Sequence, residues 1–254
     1  MTNAFGTLAL LLAAVASSGN RPAPAAMPAP PEGPWVVVDY SLRAGFYRVT
    51  GDAALLSQRF TPGTTLDLMI AAAALQTGAL TAAMEVPTRD GPMKLPQALK
   101  DANEEFFAQV LKRAGYEPVR KLLQETRYTP GIPEAVASFA ELARGEPLRV
   151  TVFEQNLFLQ AFVKREVPIG AEHCATLEKS LAVEASRPSW GLSGWGEISP
   201  EGPRYVSWFN GAAQLKDGTH VLTIVVLTPK PIPAALERFR RYLNSKRWAR
   251  IRSS

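Results

Sequence analysis

The chain has one cysteine, two histidines and no apolar run long enough to span a membrane. A single thiol, Cys174, excludes an internal disulfide, and 254 residues bury a core large enough to need none. An odd thiol of this kind is expected to be buried rather than catalytic. Two histidines and one cysteine make no metal-ligand set, so neither a metal nor another cofactor is expected. Serine is missing from a long interval, with none between Ser57 and Ser138. No Lys or Arg precedes the apolar segment Phe5 to Ala16. No cysteine follows that segment either, which excludes lipid attachment there.

The net charge of +5 is local. Its excess lies in residues 238–252, with Arg238, Arg240, Arg241, Lys246, Arg247, Arg250 and Arg252. The remainder is close to neutral, which argues against a nucleic-acid surface and leaves weak contact with a membrane surface through 238–252 as the one electrostatic partner. Hydrophobic residues make up 46% and charged residues 20%, an ordinary globular balance.

Residues 1–17 read as an export signal: Phe5 to Ala16 has the length of a signal core, and Ala14-Val15-Ala16 suits cleavage. The expected location is therefore periplasmic or otherwise exported; a disordered start on a cytoplasmic protein is the alternative. Residues 18–34, with Arg21-Pro22-Ala23-Pro24 and Met27-Pro28-Ala29-Pro30-Pro31, read as an extended proline-rich tether. Residues 35–254 are expected to form the folded domain.

Within that domain, Trp35 to Tyr40 and Phe46 to Thr50 read as a hairpin turning at Arg43-Ala44-Gly45. Leu68 to Leu80 is apolar on every side and predicts a central helix. Ala98 to Ala114 predicts one helix ended by Gly115, followed by helices over Val119 to Glu125, Ile132 to Ala143 and Thr151 to Arg165. Tyr205 to Gly211 and Val221 to Leu227 flank Lys216-Asp217-Gly218, a second hairpin. Ala234 to Leu243 closes the chain as a helix. The expectation is an α+β fold. An antiparallel sheet of about five strands is drawn from both ends (about 35–50 and 190–228), with a helical region inserted between (about 67–185) and a C-terminal helix (about 233–250). No internal repeat is present.

Arg59-Phe60-Thr61-Pro62-Gly63-Thr64-Thr65 after the first hairpin, Leu75-Gln76-Thr77-Gly78-Ala79 at the end of the apolar helix, and Leu148-Arg149-Val150-Thr151-Val152-Phe153-Glu154-Gln155 carry a resemblance. Over roughly residues 35–243 the chain resembles the serine β-lactamase and penicillin-binding transpeptidase superfamily, most of all class D β-lactamases. The resemblance implies a site built from three motifs. In Ser-x-x-Lys the lysine lies one helical turn from the serine and takes its proton. Here Thr64 stands at the serine position and Asp67 at the lysine position. Aspartate near a helix N-terminus is a weak base, and Thr64-x-x-Asp67 also suits a helix capping box, the reading favoured here. The second motif supplies a proton-relaying serine; its best match is Ala102-Asn103-Glu104, without a hydroxyl, and Glu104 and Glu105 read as solvated helix residues. The third, Lys-Thr/Ser-Gly, matches Leu192-Ser193-Gly194, which keeps hydroxyl and glycine but not the cation that attracts a substrate carboxylate. Backbone N–H groups of Thr64 and Trp195 would form the oxyanion hole.

Three losses together imply a catalytically inactive envelope protein that binds a ligand or partner through a remnant cleft at Leu192, Ser193, Gly194 and Trp195. The ligands to consider are a peptidoglycan fragment, a β-lactam or an envelope protein. Losing nucleophile–base chemistry costs on the order of a millionfold in rate in a comparable hydrolase. Two alternatives stay open: an active acyl-enzyme using Thr64, and a structural domain tethered by its basic C-terminal helix. Trp190, Trp195, Tyr205, Trp208 and Phe209 read as core packing before ligand lining.

Overall fold

A computed structural model describes residues 33–181, 189–198 and 204–245. The expected signal, most of the tether and the end of the basic tail lie outside the described residues. Five antiparallel strands form the main sheet: β1 (Trp35–Ser41), β2 (Phe46–Gly51), β5 (Ser189–Glu197), β6 (Tyr205–Leu215) and β7 (Gly218–Thr228), in the order β2-β1-β7-β6-β5. The two anticipated hairpins share this sheet, because β1 lies against β7 with Val37 opposite Ile224. A small hairpin, β3 (Val86–Thr88) with β4 (Gly91–Met93), stands apart from it.

Between β2 and β5 run α1 (Asp67–Gln76), α2 (Leu95–Asp101), α3 (Glu104–Ala114), α4 (Tyr116–Glu125), α5 (Phe139–Ala143), α6 (Val152–Lys164) and α7 (Ala171–Ser180); α8 (Ala234–Asn244) follows β7. The period-2 alternation of β1 assigns the two faces of the sheet. Val36 and Val38 join the large core shared with the inserted helices, and Val37 joins the smaller core under α8. Phe209 of β6 stacks on Phe239 of α8 with ring centroids 3.9 Å apart.

The central helix α1 is buried from Asp67 through Leu75. Its alanines permit close approach by α3, α4 and α7, all of which contact it. A leucine at Ala72 would overpack this junction at a cost of about 1–3 kcal/mol. At the opposite extreme, α6 starts with a capping box in which Thr151 and Glu154 bond reciprocally.

Two helix expectations need correction. The helix foreseen over 98–114 is two helices. Ala102 is left-handed (φ 49°) and closes α2, and the Asn103 side chain accepts from the Phe106 amide to start α3. A residue with a good cap side chain inside an apolar pattern redirects the chain. The helix foreseen over 132–143 survives only as Phe139–Ala143, begun by the Ser138 cap. Pro130 and Pro133 disfavour helix ahead of it.

Candidate functional site

Pro62 leads into a tight 3-10 turn, Gly63–Leu66, that runs directly into α1. Edge strand β5 lies across this turn. Contact is close because glycines face each other. A Cβ on Gly63, whose φ is +56°, would fall 2.0 Å from the Trp195 carbonyl oxygen. A Cβ on Gly194 would fall 2.6 Å from Thr64 Oγ1 and 2.9 Å from the Thr65 nitrogen. The strand therefore rests on the turn backbone with no gap for a side chain.

Thr64 is sealed beneath this seam, 1% exposed. The Trp195 N–H donates to its Oγ1 at 3.3 Å. The amide that would stabilise an oxyanion is thus turned to the threonine's own hydroxyl. Oxyanion stabilisation requires donors aimed at empty space about 3 Å away, where the substrate oxygen will sit.

Asp67 lies one turn further on, fully buried, and neither carboxylate oxygen has a hydrogen-bond partner among the described residues. Burial pushes its pKa well above the ordinary aspartate value, and the nearby Glu104 carboxylate pushes in the same direction. Burial thus favours the protonated form of Asp67, which is the form that accepts no proton. The capping box expected of Thr64 and Asp67 does not form. Asp67 already has helical backbone, and its amide bonds to the Thr64 carbonyl. The start of the turn is held instead by Thr61, which accepts from the Gly63 N–H at 3.2 Å and donates to the Gly145 carbonyl at 2.8 Å.

Glu104 is half-buried, not the solvated residue expected; burial raises its pKa, while Arg144 lowers it and Glu146 raises it. Glu105 accepts from the Arg89 amide at the surface. Ala102 sits at the end of α2 and lines a cleft beside β5.

The Leu192-Ser193-Gly194-Trp195 set is divided between the two faces of the sheet. Leu192 belongs to the core shared with the inserted helices and does not line the cleft. Gly194 meets the Thr64 turn on that same face. Ser193 is opposite Phe209 and Trp195 opposite Ser207, whose hydroxyl accepts from Ala235 of α8. Cross-strand partners share a face, so Ser193 and Trp195 look toward α8. The cleft, of about 700 Å³, therefore wraps the free edge of β5 from the ends of α2 and α7 to the flank of α8. Thr64 and Asp67 do not line it. Of the aromatic cluster, Trp208 and Phe209 are fully buried, Trp208 donating to the Thr61 carbonyl at 2.9 Å, and Trp195 and Phe209 reach the cleft wall.

The sequence did not disclose a buried polar chain that ends at Tyr128, near Asp67. Asn210 Nδ2 donates to Gln155 Oε1 at 2.9 Å, and Gln155 Nε2 donates to the Tyr128 hydroxyl at 2.6 Å. Burial raises the Tyr128 pKa, with Gln155 and Thr65 opposing that shift. The available signal was an amide inside an apolar pattern: Gln155-Asn156 in α6 and Asn210 in β6. Among the described residues no cluster of His, Cys, Asp and Glu could hold a metal.

No protein-family model matches the sequence, and comparison with curated proteins finds no match. Solved structures do match. A class D β-lactamase from Bacillus subtilis superposes with a TM-score of 0.73 at 16% identity, covering 85% of this chain and 92% of that one. A class D β-lactamase from Nostoc gives 0.71 at 18%, covering 83% and 92%. The C-terminal domain of the Bacillus licheniformis BlaR penicillin receptor gives 0.72 at 20%, covering 82% and 88%. The chain thus has the α+β fold of serine β-lactamases and penicillin-receptor domains. The matching structures include both β-lactamases and a penicillin receptor.

Proposed function

We propose that this protein is a non-catalytic envelope protein of β-lactamase-like fold that holds a ligand or partner without covalent chemistry in the cleft beside β5. One observation carries the reading. The hydroxyl at the nucleophile position is sealed under the β5 seam and bonded to the Trp195 amide, above an aspartate with no hydrogen-bond partner among the described residues.

Acylation would need an accessible hydroxyl, a base within reach and an empty oxyanion pocket. Thr64 is buried, Asp67 is pushed toward its neutral form, Ala102 has no proton to relay and Leu192 carries no charge. The cleft next to these residues is of a size that holds small ligands. A penicillin receptor with the same fold supports recognition as a use for it. A peptidoglycan fragment, a β-lactam or an envelope protein segment is the occupant in view, and the apolar N-terminal segment supports export.

The test is covalent labelling. The natural chain is incubated with a fluorescent penicillin and resolved on a denaturing gel beside Thr64→Ala. The expected result is no band above that control. A band that Thr64→Ala abolishes would establish the acyl-enzyme alternative.

A further inference from the structure

The residues around the β5 cleft divide by chemistry. Its floor is apolar and aromatic, with Trp195, Phe209, Leu181 and Leu236. Its rim carries three cations, Lys100, Lys179 and Arg240, against a single carboxylate, Asp101. Gln97 occupies Asp101 through a side-chain hydrogen bond. Arg240 is paired with Glu237 at 2.7 Å along α8. Lys100 and Lys179 are exposed and make no ion pair or side-chain hydrogen bond among the described residues. They stand at the ends of α2 and α7, helices that contact each other and both contact β5. Two cations that have no ion pair among the described residues therefore overhang one end of an apolar trough, and Ser180 and Ser193 add hydroxyls within it.

We propose that this cleft binds a small organic anion with an apolar body, the acid group held by Lys100 and Lys179 and the body laid against Trp195, Phe209 and Leu236. The assignment rests on the reading of the cleft as a non-covalent site and names what it recognises. Pockets of this size are typically apolar with a few placed polar groups that fix orientation. Charge-assisted contacts at the rim select the sign of the head group, and burial of the body supplies most of the driving force. The cations come from helices α2 and α7, not from the strand residue Leu192, so the acid group lies over the rim and away from Thr64.

Three probes with one body and different head groups test this: 4-phenylbutyrate, 4-phenylbutyramide and 4-phenylbutylammonium, titrated into the full chain by calorimetry and tryptophan fluorescence. The anion should bind about tenfold or more tighter than the amide, and the ammonium should bind weakest. The double variant Lys100→Gln, Lys179→Gln should erase the anion's advantage without lowering the melting temperature. Ser193→Trp, filling the trough from its floor, should abolish binding of all three while the protein stays folded. Equal binding of the three probes, no binding of the anion, or an advantage that survives the double variant would overturn the proposal; the last result would leave the two lysines as partners of helix-end carbonyls only. A covalent penicillin band at Thr64 would instead end the non-catalytic reading and leave the head-group comparison standing.

Discussion

Asp39 and Asp67 are both buried, 2% and 0% exposed, and the protein treats them oppositely. Asp39 Oδ1 faces His220 Nδ1 at 2.7 Å, and Tyr242 of α8 donates to Oδ2. Three elements, β1, β7 and α8, meet at that carboxylate. Asp67 has two oxygens and no partner among the described residues. The hydrogen bond to Asp39 is the leading cause that raises the His220 pKa, so His220 is held toward its charged form. Burial, with the Glu104 carboxylate adding to it, drives Asp67 toward its neutral form. A buried acid with partners joins elements together; one without partners gives up its charge. On the proposed reading Asp67 takes the place of a base, and burial works against the charged form that a carboxylate base requires.

The largest effect should come from the satisfied site. Asp39→Ala takes the carboxylate away from His220 Nδ1 and from the Tyr242 hydroxyl, and breaking a buried pair this way costs about 3–5 kcal/mol. Chemical denaturation should show that loss, with α8 amides exchanging faster. A loss under about 1 kcal/mol would place the junction among weak surface pairs. Next comes the seam. Gly194→Ala sets a methyl against Thr64 Oγ1 and the Thr65 amide, and overpacking of this kind costs about 1–3 kcal/mol. A neutral result would mean that β5 does not rest on the turn.

Asp67→Asn should act with the opposite sign. It keeps the shape and removes the titration, so the protein should gain stability at pH 8 and little at pH 4. The folded pKa of Asp67 is raised, so its contribution is intact below the unfolded value near 4 and is lost as pH rises above it. Each pKa unit is worth about 1.4 kcal/mol, and melting should rise by roughly 2–4 °C per kcal/mol in a chain this long. A lower melting temperature at pH 8 would mean that Asp67 is partnered and charged. The smallest effect belongs to His220. Its folded pKa is raised, so its stabilisation is full below about pH 6.5 and fades as pH climbs through the folded value. His220→Gln should therefore lose more at pH 5.5 than at pH 8.5; equal losses would contradict the charged pair.

Much of this contrast could be read from the residues, and the rest depended on tertiary contact. The two hairpins declared themselves by β-branched runs and turn glycines, and α1 by being apolar all round. The Thr64-x-x-Asp67 spacing correctly marked the start of α1 but not what its side chains do. A carboxylate completes a capping box only when the residue three before it is a non-helical N-cap, as Thr151 is for Glu154, and Thr64 already lies inside the turn begun at Gly63. Ala102 offered no side-chain signal for its left-handed backbone. The division of Leu192, Ser193, Gly194 and Trp195 between two faces follows from strand period once β5 is placed at the edge. Its place at the edge is set by pairing with β6, a long-range fact. Tyr128, Gln155 and Asn210 come from distant segments, and only the fold links them to one another, with Tyr128 near Asp67.

The most direct measurement of the account is hydrolysis of a chromogenic cephalosporin by the purified natural chain, followed from pH 5 to pH 9 beside Thr64→Ala. The account predicts indistinguishable rates throughout, and no rescue by Asp67→Lys alone, because groups that act as a unit fail as a unit. Turnover by the natural chain well above the Thr64→Ala control would show that the seam opens and that Thr64 is a working nucleophile, contradicting the account.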